Sequence, residues 1–210
     1  MAINGSQDNN KKIKIAILIS GRGSNMKAII EACEDQNFPA KVVLVLSNKD
    51  NAEGLEFAKT KQIPTAVIKH QDFKQNTDPR TAFDIAMDQE ISKYGAELIC
   101  LAGFMRLLSS YFVKKWQNRL INIHPSLLPD FKGANAVADA LKAKANCSGC
   151  TVHYVVEEMD SGPIIEQARV KIKEDDNLED LSNRILKFEH KIYPQAIKKI
   201  CQNLINNDHS

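Results

Sequence analysis

Asn122 and His124 stand two residues apart in Leu120-Ile121-Asn122-Ile123-His124-Pro125, a segment whose pattern predicts a short buried strand stopped by a proline. Side chains at i and i+2 of a strand share a face. The amide and the imidazole therefore sit side by side, while Ile121 and Ile123 cover the opposite face. Burying such a pair without partners costs roughly 1–3 kcal/mol per group, so the pair points to a task. Pro125 and Pro129 push the residues before them toward extended backbone, which helps place the imidazole. An amide and an imidazolium can polarise a carbonyl and hold the resulting oxyanion, and a nearby carboxylate favours the charged imidazole and carries a proton away. Asp160 is the candidate carboxylate, in the turn Glu157-Glu158-Met159-Asp160-Ser161-Gly162-Pro163. No Ser, Cys or Lys is set up as an activated nucleophile, and Ser126 lacks the strand–elbow–helix setting of a hydrolase serine. The substrate must bring its own nucleophile.

A second group precedes the first predicted helix: Ser20-Gly21-Arg22-Gly23-Ser24-Asn25. Glycines let the backbone approach a ligand, and a helix N-terminus offers free N–H groups to an anion. The loop lacks the third glycine of a dinucleotide fingerprint, having Met26 there, and the Gly-Lys-Ser/Thr of a Walker loop is absent. A phosphomonoester held by Gly23, Ser24 and Asn25 fits better; the plainer alternative is a tight turn with Ser24 as a helix cap. His153 reads as a satisfied structural histidine inside a strand, His70 and His209 as surface or tail residues, and Glu189-His190 as a helix pair either of which could reach a ligand, with a solvated face as the default.

The elements that must position these residues alternate along the chain. Apolar runs at 13–19, 41–46, 65–68, 97–102 and 119–123 suit strands buried on both faces. Between them, Met26, Ile29, Ile30 and Cys33 mark one helical stripe, and Phe83, Met87, Ile91 and Tyr94 another that starts at an Asp78-Pro79 cap and ends at Gly95. The alternation predicts an α/β fold with a doubly wound, mostly parallel, Rossmann-like sheet. After a short helix at 135–142, two antiparallel strands at 151–156 and 164–172 follow, the second as a half-wet edge. Asn177 caps a last helix that Pro194 kinks or divides.

At 210 residues, 43% hydrophobic, 26% charged and net +2, the chain suits one globular domain over 13–205, preceded by a disordered leader at 1–12 and ended by a frayed tail at 206–210. The small net charge, with Lys and Arg not interleaved with aromatics, gives no reason to expect nucleic acid, and no apolar run spans a membrane. Five cysteines, odd in number and mostly in apolar segments, read as reduced thiols in a cytoplasm. Cys147-Ser148-Gly149-Cys150 has no second pair to complete a zinc site, and no metal is expected.

Taken together, Ser20-Gly21-Arg22-Gly23-Ser24-Asn25, Leu101-Ala102-Gly103-Phe104-Met105-Arg106-Leu107-Leu108, Asn122-Ile123-His124-Pro125-Ser126-Leu127-Leu128-Pro129, Asp160-Ser161-Gly162-Pro163 and Glu189-His190-Lys191-Ile192-Tyr193-Pro194 resemble the folate-dependent glycinamide ribonucleotide formyltransferases of purine biosynthesis. The pieces occur in family order over 13–205. The resemblance implies transfer of the formyl group of 10-formyltetrahydrofolate to the amine of phosphoribosylglycinamide, with Asn122, His124 and Asp160 as the catalytic trio. It implies Gly23, Ser24, Asn25 and Glu189 for the nucleotide, and Arg80, Met105, Arg106, Leu107, Leu108, Asn122, Val156, Glu157, Glu158, Met159 and Asp160 for the folate. An arginine suits the glutamate tail of a folate. By the same analogy Leu128-Pro129 is a candidate cis bond, and the enzyme is a cytoplasmic monomer or weak homodimer acting on small molecules. Val137 departs from the family, whose members often carry a histidine there. Competing readings are a formyltetrahydrofolate deformylase, which reads His-His-Ser where this chain has His124-Pro125-Ser126, a methionyl-tRNA formyltransferase, and a non-catalytic nucleotide-sensing module. The last gives no reason for Asn122, His124 and Asp160 together.

Overall fold

The computed structural model describes residues 11–207. The leader expected at 1–12, apart from Lys11 and Lys12, lies outside the described residues, as do His209 and the rest of 208–210. One sheet of seven strands runs through the molecule: β1 (Ile13–Ile19), β2 (Ala40–Ser47), β3 (Thr65–Val67), β4 (Leu98–Leu101), β5 (Leu120–His124), β6 (Cys147–Tyr154) and β7 (Ile164–Lys171), in the spatial order β3-β2-β1-β4-β5-β6-β7. The first five pair in parallel; β5–β6 and β6–β7 are antiparallel.

The helices are α1 (Ser24–Cys33), α2 (Glu53–Thr60), α3 (Pro79–Lys93), α4 (Ser110–Lys115), α5 (Ala136–Lys142) and α6 (Leu178–Asn207). The continuous apolar run of β1 is split by its alternation between two cores. Ile13, Ile15, Ile17 and Ile19 join α1, α2, α5 and α6, whereas Ala16 and Leu18 join α3 and α4. Asp78 caps α3 by accepting the Thr81 N–H at 3.1 Å, with Pro79 opening the helix, and Asn177 accepts from Glu179 and Asp180 ahead of α6.

Two expectations need correction. Pro194 does not divide the last helix, which runs unbroken from Leu178 through Asn207 and so includes two residues of the expected tail. β6 begins at Cys147, four residues before the expected Thr151, so the Cys147–Cys150 segment is part of the strand and Gly149 lies within it. A Cβ there would lie 2.0 Å from the Ala168 carbonyl oxygen and 2.7 Å from a Leu127 methyl group, so close packing selects the glycine. Cys147 and Cys150, three apart on a strand, face opposite ways. Burial pushes the Cys150 thiol up to about 12, as it does for Cys33 and Cys201.

Candidate active site

β5 ends at His124 with its two faces sorted. Ile121 and Ile123 enter the core under α6, and Asn122 and His124 point the other way. Antiparallel pairing then sets His153 opposite Asn122 and Thr151 opposite His124. Asp160 reaches the same corner from the turn after β6. Its Oδ2 stands 3.4 Å from His124 Nδ1, and its Oδ1 3.6 Å from His153 Nε2. The three residues distant in sequence do converge.

The hydrogen-bond partners settle which nitrogens carry protons. His153 Nδ1 lies 2.8 Å from the Tyr154 carbonyl, which can only accept, so Nδ1 donates and Nε2 is left to accept from the Asn122 amide at 3.3 Å. Burial holds His153 below the ordinary imidazole range, in keeping with that neutral form. His124 Nε2 likewise donates to the Phe131 carbonyl at 2.8 Å, leaving Nδ1 as the ring atom that faces Asp160. His153 was expected to be only structural. It is satisfied, and it also orients Asn122.

The chain between His124 and Gly133 is shaped to make these contacts. Leu128-Pro129 is cis, and Phe131, Gly133 and Asp160 have positive φ (53°, 89° and 51°). Gly133 donates its N–H to Asp160 Oδ2 at 2.8 Å, so two residues in left-handed backbone hold one another. From behind, Thr151 Oγ1 donates to the Ser126 carbonyl at 2.7 Å and accepts the Leu128 N–H at 3.1 Å. Gln167 donates to the Leu128 carbonyl at 3.0 Å. Ser126 is fully buried and donates to Asp130, so it is no nucleophile. Val137, where the resemblance led to a histidine, packs into the core on α5.

Across the sheet end, Gly23 takes the N-cap position of α1 at φ 68°, and no side chain caps the helix, so Ser24 is not its cap. Asn25 donates to Glu189 Oε2 at 2.6 Å, and its own Oδ1 is buried without a partner. Glu189 is 6% exposed, against the solvated face expected of it. Its position on the inner stripe of α6 was open to helical periodicity, which puts it four residues after the buried Ile185. Burial pushes its carboxyl up and the Asn25 amide works against that. The pair offers a ligand one carboxylate and one orphaned carbonyl, a recognition site for hydroxyl or amine hydrogens beside the free N–H groups of the glycine loop.

Among the residues assigned to a folate, Glu157 accepts from Ser110 Oγ at 2.5 Å, which links the turn 156–160 to the chain just after 105–108. Met105 (74% exposed), Leu107 (57%), Met159 (52%) and Val156 (37%) leave large apolar groups in water, and Leu108 is partly buried. Glu158 turns outward to Lys132 at 3.3 Å. Arg80 and Arg106 line a cavity of about 610 Å³ with Thr81, Ser109, Ser110 and Tyr111, and the Arg106 guanidinium lies 5.1 Å from the Phe83 ring centre. His70, expected at the surface, is partly buried with its ring edge-on to Phe83, where burial lowers its pKa. Among the described residues, no group of three or more His, Cys, Asp or Glu is placed to hold a metal ion, and no helix is long and apolar enough to cross a membrane.

Known proteins are similar to this chain in sequence and in fold. The chain is 47% identical over 194 residues to the trifunctional purine biosynthetic protein adenosine-3 of Gallus gallus, covering 92% of this chain and 19% of that protein. It thus spans a fifth or less of the length of the trifunctional relatives it matches. It is 42% identical to the phosphoribosylglycinamide formyltransferase of Haemophilus influenzae, with 88% of this chain and 85% of that one covered. The crystal structure of glycinamide ribonucleotide transformylase 1 from Symbiobacterium toebii superposes with a TM-score of 0.88 at 41% identity, covering 94% and 90% of the two chains. With residues 13–197 matching formyl transferase throughout, this chain belongs to the formyl transferase family.

Proposed function

We propose that this protein transfers the formyl group of 10-formyltetrahydrofolate to the amine of phosphoribosylglycinamide, giving the N-formyl product and tetrahydrofolate, a step of purine biosynthesis. The convergence of Asn122, His124 and Asp160 at the end of β5, within one sheet end of the Gly23–Asn25 loop and Glu189, carries this reading. The phosphate lies on the N–H groups of Ser24 and Asn25, and Glu189 with Asn25 Oδ1 accepts hydrogens from the rest of the nucleotide. The folate runs between residues 105–108 and 156–160, its glutamate carboxylate toward Arg80 and Arg106. The reaction needs no metal, and the protein works in the cytoplasm as a monomer or weak homodimer.

The amine attacks the formyl carbon, and the carbonyl oxygen becomes an oxyanion. One Asn122 amide hydrogen is committed to His153, and the other meets the oxyanion. The Nδ1–H of a charged His124 supplies the second donor. Asp160 accepts the proton lost by the amine and passes it toward the departing folate nitrogen.

One assay tests this: following free tetrahydrofolate from 10-formyltetrahydrofolate with and without phosphoribosylglycinamide. Amine-dependent release is expected. Release that does not need the amine would mark a deformylase, and no release in either case would leave only a nucleotide-binding module.

A further inference from the structure

β1 lies between β2 and β4; the chain winds from β1 outward through β2 to β3 and then returns past β1 to β4, so the crevice between the ends of β1 and β4 is the topological switch point of the sheet. Ser20 is the first residue beyond that strand and the first of the glycine loop. Its N–H donates to the Gly103 carbonyl at 3.1 Å, prolonging the β1–β4 ladder. The chain then turns at Gly103, φ 75°, and returns so that the Met105 N–H donates to Ser20 Oγ at 2.8 Å. On the other side, Ser20 Oγ–H donates to Asn48 Oδ1 at 2.7 Å, just past the end of β2. Ser20 and Asn48 are both buried, at 6% and 4% exposure, so water does not readily replace either bond.

One hydroxyl therefore ties three segments together: the glycine loop, the end of β2, and the segment that presents Met105 to Leu108. A hydroxyl has a single proton, and here it is spent on Asn48, which fixes the lone pair that Met105 uses. Moving the glycine loop moves the Met105 peptide. We infer that Ser20 is a positioning residue that couples the two substrate sites, so that filling the phosphate loop preorganises the folate-binding segment, and the reverse. The inference rests on the transfer reaction proposed above. It assigns Ser20 no contact with either substrate.

Coupling of this kind is reciprocal and measurable without turnover. Titration calorimetry would give the affinity for phosphoribosylglycinamide with and without saturating tetrahydrofolate, a pair that cannot react. In the unaltered protein each ligand is expected to tighten the other by about 5-fold or more. Ser20→Ala is expected to bring that factor below about 2-fold, with a smaller change in either affinity alone. Ser20→Thr, which keeps the hydroxyl, is expected to retain it. A purely structural role would weaken both ligands and leave the factor unchanged, and that result overturns the inference. So does an unaltered protein that binds both ligands independently. A protein that binds neither ligand removes the proposed reaction itself, a different failure. If Ser20→Ala does not fold, Ser20→Cys, whose thiol accepts the Met105 N–H only weakly, tests the same bond, and full coupling in that variant is equally fatal.

Discussion

On the cleft side of the loop that follows β5, polar side chains stand 3.3 to 3.6 Å apart: Asn122 to His153, His124 to Asp160, and His153 to Asp160. Behind the same loop, Thr151 and Gln167 make bonds of 2.7 to 3.1 Å to Ser126, Leu128 and one another. Hydrogen bonds weaken beyond about 3.2 Å, so the front set holds its members loosely and keeps hydrogens and lone pairs in reserve. The back set is satisfied. The two short tethers at the front fix where the side chains stand: His124 to the Phe131 carbonyl leaves Nδ1 uncommitted, and Gly133 to Asp160 Oδ2 takes one lone pair of the oxygen that faces it. A rigid support behind and unspent polar capacity in front is what a site needs if its strongest bonds are to form in the transition state.

Changes at the front should strike turnover, and changes at the back should strike stability. His124→Ala is expected to lower kcat by about 10³-fold while the dissociation constant for phosphoribosylglycinamide moves by less than about 3-fold; near-normal turnover would remove His124 from the chemistry. Asp160→Asn is expected to cost about 10²-fold in kcat. Asparagine tolerates the left-handed backbone of this position, so a normal melting curve should accompany the loss. A melting point that fell with it would mean that the carboxylate is mainly structural.

Thr151→Val strips the back set of its central hydroxyl and is expected to cost roughly 1–3 kcal/mol, a fall of a few degrees in Tm, with a smaller effect on kcat than Asp160→Asn. Turnover collapsing at unchanged Tm would erase the contrast between front and back. The smallest effect concerns pH. Burial keeps His153 neutral in the folded state, so the unfolded chain binds the extra proton as the pH falls below about 6.5, and folding loses stability across that window. His70 and His190 are lowered by burial in the same direction. Melting temperatures measured from pH 7 to pH 5 should therefore decline, and His153→Gln should make the decline shallower. An identical slope in the variant would show that His153 does not contribute.

The sheet and helices were largely open to reading because each depends on short-range pattern. The alternation of β1 between two cores, the Asp78-Pro79 start of α3 and the Asn177 cap all rest on neighbouring residues. The start of β6 was placed at Thr151 because the apolar pattern begins there, and only Leu127 and the Ala168 carbonyl explain why Gly149 belongs to the strand. The contacts of His153 and Glu189 were out of reach for a related reason. A histidine in a strand and a glutamate on a helix take their meaning from what they face, and those partners lie 31 and 164 residues away.

Residue types and spacing alone determined that an amide and an imidazole share one face of a buried strand, that a glycine loop precedes a helix, and that a carboxylate sits in a turn further on. Those are consequences of strand and helix periods and of turn chemistry, which act over a few residues. Only the tertiary structure decided that β6 returns antiparallel to β5, that His153 thereby faces Asn122, and which ring nitrogens of His124 and His153 are already engaged. Strand register and hydrogen-bond partnership depend on atoms brought together by packing, and no local pattern in the chain encodes them.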